Sequence, residues 1–140
     1  MTAQFSERLR YEGQDLSMYT NPLSDFFAMG GANPGFDANC TALWRGYVGS
    51  WENIQTRLYL TAISGTLKDG GQASLASVFP DFPDRVFAHW YSGEIRIPRG
   101  KRTKYVHQGY DSKFERDLLL DVEHGVVKAT HIRHNQEAFT

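Results

Sequence analysis

Apolar and polar residues alternate along several stretches of this chain, and a period of two marks a strand with one face turned inward. Over 44–52, Trp44, Gly46 and Val48 share one face, while Arg45, Tyr47, Gly49 and Trp51 share the other. Over 57–63, Leu58, Leu60 and Ala62 oppose Arg57, Tyr59 and Thr61. These arms, joined through Asn53-Ile54-Gln55-Thr56, predict a hairpin with the Leu58 face on the core. Trp44 and Leu60 are expected there as core residues. Glycine inside a strand weakens it unless another group packs close, so Gly46 and Gly49 predict such an approach.

Elsewhere the pattern is read in the same way. Leu9-Arg10-Tyr11 and Leu16-Ser17-Met18-Tyr19 flank the turn-forming Glu12-Gly13-Gln14-Asp15 and predict a small hairpin. Residues 20–42 predict an irregular connection with a helical turn around Leu23 to Met29. The polar 68–77 stretch is expected to be mobile. Pro83-Asp84 can open a helix that places Val86, Phe87, Trp90 and Tyr91 on one face, and Gly93 can end it. The same residues fit a strand; the helix is favoured as far as Tyr91, followed by a strand from Gly93 to Pro98. Pro98-Arg99-Gly100-Lys101 reads as a hairpin tip between 94–97 and 104–110. Phe114 to Val122, a turn at Glu123-His124-Gly125, and Val126 to Arg133 predict a final hairpin, with a frayed tail from Asn135.

The sum is a mainly β fold: an antiparallel meander of about seven or eight strands, forming a sandwich or partly open barrel with one or two short helices. Its rival is an α+β fold with a helix over 83–91 packed across the sheet. The 140 residues fit one domain, 1–140.

Composition narrows the class. Hydrophobic residues make up 41% and aromatics 14%, which suits a globular chain. A net charge of -1 argues against a whole-surface field for nucleic acid or membrane. Cys40 is the single cysteine, so no internal disulfide can form, and a reducing compartment is favoured. Met1 to Arg10 carries no apolar run, and no stretch approaches the roughly 20 apolar residues of a membrane helix. A cytoplasmic protein without a membrane partner is expected.

Candidate chemistry is sparse. His131 and His134 share a face only on a helix, and their surroundings favour a strand, so no metal is expected. Cys40 with His89 or His107 would make a dyad only if the fold joined them, and a lone cysteine is more often a buried apolar residue. No nucleotide-binding fingerprint is present and no cofactor is implied. Arg96, Arg99, Lys101, Arg102 and Lys104 fall within nine residues, near Tyr105 and Tyr110. That suits a single nucleic-acid strand, or a sheet edge blunted by charge. The near-neutral chain favours the charged edge.

All three tryptophans and four of the seven tyrosines lie in 43–52, 87–97 and 105–110. The leading functional reading is a non-enzymatic binding or protein-interaction module that presents these rings to a protein partner or small ligand. The candidate surface is Trp44, Arg45, Tyr47, Trp51, His89, Trp90, Tyr91, Glu94, Arg96, His107 and Tyr110. One alternative is a small enzyme with His89, Glu94 and His107 as an acid-base site; another is a single-stranded nucleic-acid binder through 96–104. Catalytic residues and oligomeric state stay open.

The phrases Trp44 to Glu52, Arg57-Leu58-Tyr59-Leu60, Trp90 to Pro98 and Tyr105 to Tyr110 resemble a family of small uncharacterised bacterial proteins. The likeness covers most of 7–128. It implies a bacterial, cytoplasmic, single-domain protein and transfers no catalytic residue.

Overall fold

The computed structural model describes residues 5–37, 45–104, 110 and 113–135, with the backbone alone described over 101–104. Glu12 and Gly13 take φ of 50° and 78°, the left-handed backbone of a two-residue hairpin turn. They join β1 (Glu7–Tyr11) to β2 (Gln14–Met18). Helix α1 (Pro22–Ala28) starts on a proline, whose missing N–H costs nothing in a first turn. A second tight turn at Gln55-Thr56 joins β3 (Tyr47–Ile54) to β4 (Arg57–Gly65). Then come α2 (Leu75–Val78), β5 (Val86–Phe87) and β6 (Gly93–Lys104). Finally, β7 (Lys113–Glu123) turns at His124-Gly125 into β8 (Val126–His134).

The fold is mainly β, with eight strands in one mixed sheet ordered β2-β1-β3-β4-β8-β7-β6 and β5 beside β4. One pair, β1 with β3, is parallel, so the structure departs from a purely antiparallel meander. The long connection through α1 permits this, because parallel neighbours need a crossover. The sheet curls until the chain leaving β2 meets β6. Tyr19 N–H donates to Arg96 O at 2.8 Å, and Arg96 N–H donates to Thr20 Oγ1 at 3.0 Å. The ladder itself does not close.

Inside the curl lie Leu9, Met18, Trp51, Leu58, Leu60, Ile95, Ile97 and Leu120, each at most 1% exposed. Helix α1 adds Leu23 to this cluster, and α2 adds Leu75 and Val78. On β3 the inward face is Tyr47, Gly49 and Trp51. A bulge opposite Ser50-Trp51 leaves Thr61 unmatched, and its hydroxyl donates to Ser50 O at 3.0 Å. The bulge shifts the alternation, so Ile63 points inward and Ala62, expected in the core, is exposed.

Three local expectations change. Residues 83–91 hold no helix: Val86 pairs with Leu60, and the Trp90 indole reaches Pro22 O at 2.8 Å. Tertiary pairing overrides the helical spacing there. Residues 68–77 include the start of α2, whose Ser74 N–H donates to Ser77 Oγ at 3.0 Å. The basic run is no hairpin tip, because β6 continues through it to Lys104. Pro98 sits opposite Asp117, and two ladder irregularities between Arg99 and Lys104 absorb Gly100 at φ 82°.

Candidate functional site

The aromatic residues expected on a surface are largely interior. Tyr47 is 2% exposed, Trp51 1%, Trp90 9% and Tyr91 4%. Trp90 stacks on Phe79 with ring centres 5.7 Å apart, and it also meets Phe26 and Trp51. The Tyr47 hydroxyl bonds the Ser24 hydroxyl on α1, and Tyr91 Oη donates to Glu94 O at 3.1 Å. Burial pushes both phenols up to about 12. A half-buried sheet needs large apolar side chains on its inner face, and these rings supply them. They are not available as a docking surface in this structure. Trp44 and His107 lie outside the described residues, as does Cys40.

Arg45 belongs to a second buried group. Its Nη2 donates to Glu7 Oε2 at 2.8 Å and to Phe5 O at 2.9 Å. Glu7 is fully buried and also accepts from Gly49 N–H at 2.7 Å and Trp51 Nε1 at 3.1 Å. Burial raises the Glu7 carboxyl above its ordinary value, and Arg45, Gly49 and Trp51 oppose the rise. Both glycines bring the expected close approach. A Cβ on Gly49 would stand 2.6 Å from Glu7 Oε1, and one on Gly46 would stand 2.5 Å from the Phe36 Cβ. The cluster is a structural anchor at one end of the sheet.

His89 and Glu94, the acid-base candidates among the described residues, meet different neighbours. His89 is exposed, its ring edge-on to Trp90 at 5.6 Å. Glu94 instead approaches His131 Nε2 at 3.8 Å, with both side chains 49% exposed. Among the described residues, no group of three or more His, Cys, Asp or Glu is placed to hold a metal ion.

Charge gathers at the far end of β6, β7 and β8. There a cleft of about 180 Å³ is lined by Arg96, Tyr110, Lys113, Asp117, Arg133 and Asn135. Asp117 is its fixed centre: 1% exposed, it accepts from Arg96 Nε at 3.0 Å, Arg133 Nη2 at 2.5 Å and Asn135 Nδ2 at 3.1 Å. Burial alone would raise its carboxyl, but these donors together hold it below the ordinary aspartate value. Arg96 Nη1 donates to Tyr110 O at 2.6 Å, and its guanidinium lies 5.1 Å over the Tyr19 ring. Tyr19 stacks on Tyr110 at 4.9 Å, and the Tyr110 hydroxyl donates to Asn21 Oδ1 at 2.6 Å.

Register carries the basic run further than its nine residues. Arg99 faces Arg116 and Lys104 faces Lys113, while Arg133 lies across β7 opposite Asp117. Reasoning from sequence found Arg96 and Tyr110 but missed Lys113, Arg116, Asp117 and Arg133. The missed signal was strand order, since these residues meet only once β7 lies between β6 and β8.

No helix among the described residues is long and apolar enough to cross a membrane. Comparison with protein-family models, with curated proteins and with solved structures gave no match.

Proposed function

We propose that this chain is a non-enzymatic binding module that holds an acidic protein partner at the far end of β6, β7 and β8. One observation carries the reading: charge is sharply divided along the sheet. Arg96, Arg99, Lys101, Arg102 and Lys104 on β6, Lys113 and Arg116 on β7 and Arg133 on β8 are eight cations. Over 96–104, 113–117 and 131–135 only Glu115 and Asp117 oppose them. The whole chain carries -1, so the remainder holds seven more carboxylates than cations. The near-neutral total conceals a local excess of cations over these strand segments. A patch with this net positive charge steers and selects partners of opposite sign.

A protein fits this end better than a nucleic-acid strand. Bases need free ring faces on which to stack. Tyr110 is stacked on Tyr19, and Arg96 covers Tyr19. The acid-base reading is weaker still, since His89 and Glu94 have different neighbours.

Titration of labelled polyglutamate and of single-stranded DNA at near-physiological salt tests the proposal. Polyglutamate should bind, weaken as salt rises, and be lost when Arg99 and Arg116 become Glu. Binding of DNA alone, with the same sensitivity, would replace the protein partner by nucleic acid. Polyglutamate binding that ignores both substitutions would sink the proposal.

A further inference from the structure

The sheet runs as a ladder from β2 to β6 with one seam. β4 and β8 share a single register pair, Arg57 with Val126, beside which Val127 N–H donates to Thr56 O at 2.7 Å. Beyond that point β4 gives its edge to β5 instead, with Tyr59 beside Phe87 and Leu60 beside Val86. In the other direction β4 begins at Arg57, after the turn at Gln55-Thr56, so residues 128–134 run past the end of the β3–β4 hairpin. Ala88 N–H bonds Leu58 O at 2.9 Å, and Gly125 N–H bonds Tyr91 O at 2.8 Å, pinning the β5 segment to the turn before β8. Among the described residues no strand pairs with 128–134 on the side away from β7. Every residue from Lys128 to His134 is exposed.

We propose that this open edge of β8 receives an extended segment of the partner as a further strand, and that the segment alternates acidic and apolar side chains. The inference rests on the binding-module reading and deepens it. Adding a strand gives affinity through main-chain hydrogen bonds, and alternate side chains give selectivity. The two faces of β8 define that alternation. On the outer face stand His131, beside Leu119, and Arg133, beside Asp117. On the inner face stands Ile132, 56% exposed although its neighbour Leu118 is 9% exposed. Because β4 begins at Arg57, no described strand stands beside Ile132 on the side away from β7. An incoming apolar residue covers it, and acidic residues one position either side stand beside Arg133 and the His131 ring.

Charge complementarity also selects against a second copy as the occupant. Residues 128–134 contain Lys128, His131, Arg133 and His134 and no carboxylate. Antiparallel self-pairing would set cation near cation, which destabilises cross-strand pairs. Charged edges of this kind suppress self-association while staying open to a complementary strand.

The test uses the full chain and three probes: an eight-residue peptide of alternating Glu and Val, the same peptide N-methylated at every residue, and polyglutamate. The unmodified peptide should slow amide exchange at 128–134, and N-methylation should weaken its binding at least tenfold. Ile132→Asp, at an exposed position, should weaken it similarly without lowering the melting temperature. Equal binding of both peptides, with β8 exchange unchanged, overturns strand addition yet leaves the basic-end reading standing. Loss of polyglutamate binding as well would overturn both. Sedimentation of a dimer that Ile132→Asp dissolves, with no peptide bound, would make a second copy the occupant and overturn the acidic strand.

Discussion

Trp51 donates its indole N–H to Glu7 Oε1 at 3.1 Å inside the sheet, tying the parallel strands β1 and β3 by side chains as well as backbone. The same carboxylate holds Arg45, whose Nε and Nη1 are buried and find no acceptor among the described residues. A buried ion pair with donors unfilled is costly to keep and costlier to break. Glu7→Leu alone should therefore destabilise the fold by about 3–5 kcal/mol, because it strands the guanidinium. Glu7→Leu with Arg45→Met should recover most of that loss. A denaturation double-mutant cycle decides it, and additive losses would show that the pair does not act as a unit.

Gly46 and Gly49 test the same anchor from the backbone. At Gly46 the φ of 85° disfavours any L side chain, and Phe36 fills the space a Cβ needs. At Gly49 the obstacle is Glu7 and the Trp51 indole. Valine suits strands, yet either Gly→Val change should cost about 1–3 kcal/mol through overpacking. A raised melting temperature for either variant would contradict the close packing seen.

Much of this packing was legible because local chemistry and fold agree. The turns at 12–13, 55–56 and 124–125 are short polar segments between alternating arms, and each forms where the alternation breaks. Leu58 and Leu60 face inward as their spacing demands. The helix expected over 83–91 failed because a spacing of three and four describes what could lie on one face, whereas Val86 is claimed by β4 and Trp90 by α1. The aromatic residues misled in a similar way. Tyr47, Trp51, Trp90 and Tyr91 suit a docking face and a core equally by type, and only the curl of the sheet decides. The charged end was half visible: its β6 part is contiguous, but Arg116 and Arg133 join it through pairing that no local pattern encodes.

Leu60 gives a direct check on the register. It is fully buried opposite Trp51 and Val86. Leu60→Ala should cost about 2–5 kcal/mol, with the larger value if the neighbours cannot collapse into the gap. A loss under about half a kcal/mol in chemical denaturation, the range of an ordinary surface substitution, would mean that the site is not core.

The buried phenols should show themselves at alkaline pH. Burial raises Tyr47 and Tyr91 to about 12 and Tyr110 above its ordinary value as well. The folded state thus prefers the protonated phenols. Their stabilising contribution is complete below the unfolded value of 10.0 and is lost as pH rises from there through about 12. Phenolate absorbance should rise in two steps, the later one coinciding with loss of β circular dichroism. A single step near pH 10 with the fold intact would contradict the burial of these rings.

Asp117 offers the opposite sign at the basic end. Its burial opposes ionisation, but Arg133, Asn135 and Arg96 outweigh that and depress its value below 3.8. A depressed carboxylate contributes stability that is present above the unfolded value and lost as pH falls through the folded one. Asp117→Asn should therefore cost about 1–3 kcal/mol near pH 7, where two arginines lose a charged acceptor. The gap between variant and parent should narrow below pH 3.8, as the parent's own carboxyl takes up its proton. Denaturant titrations of both proteins at neutral and acid pH make the comparison. A gap that is the same at both pH values would mean that Asp117 stabilises by shape alone, and that its charge does not hold Arg96 and Arg133 in place.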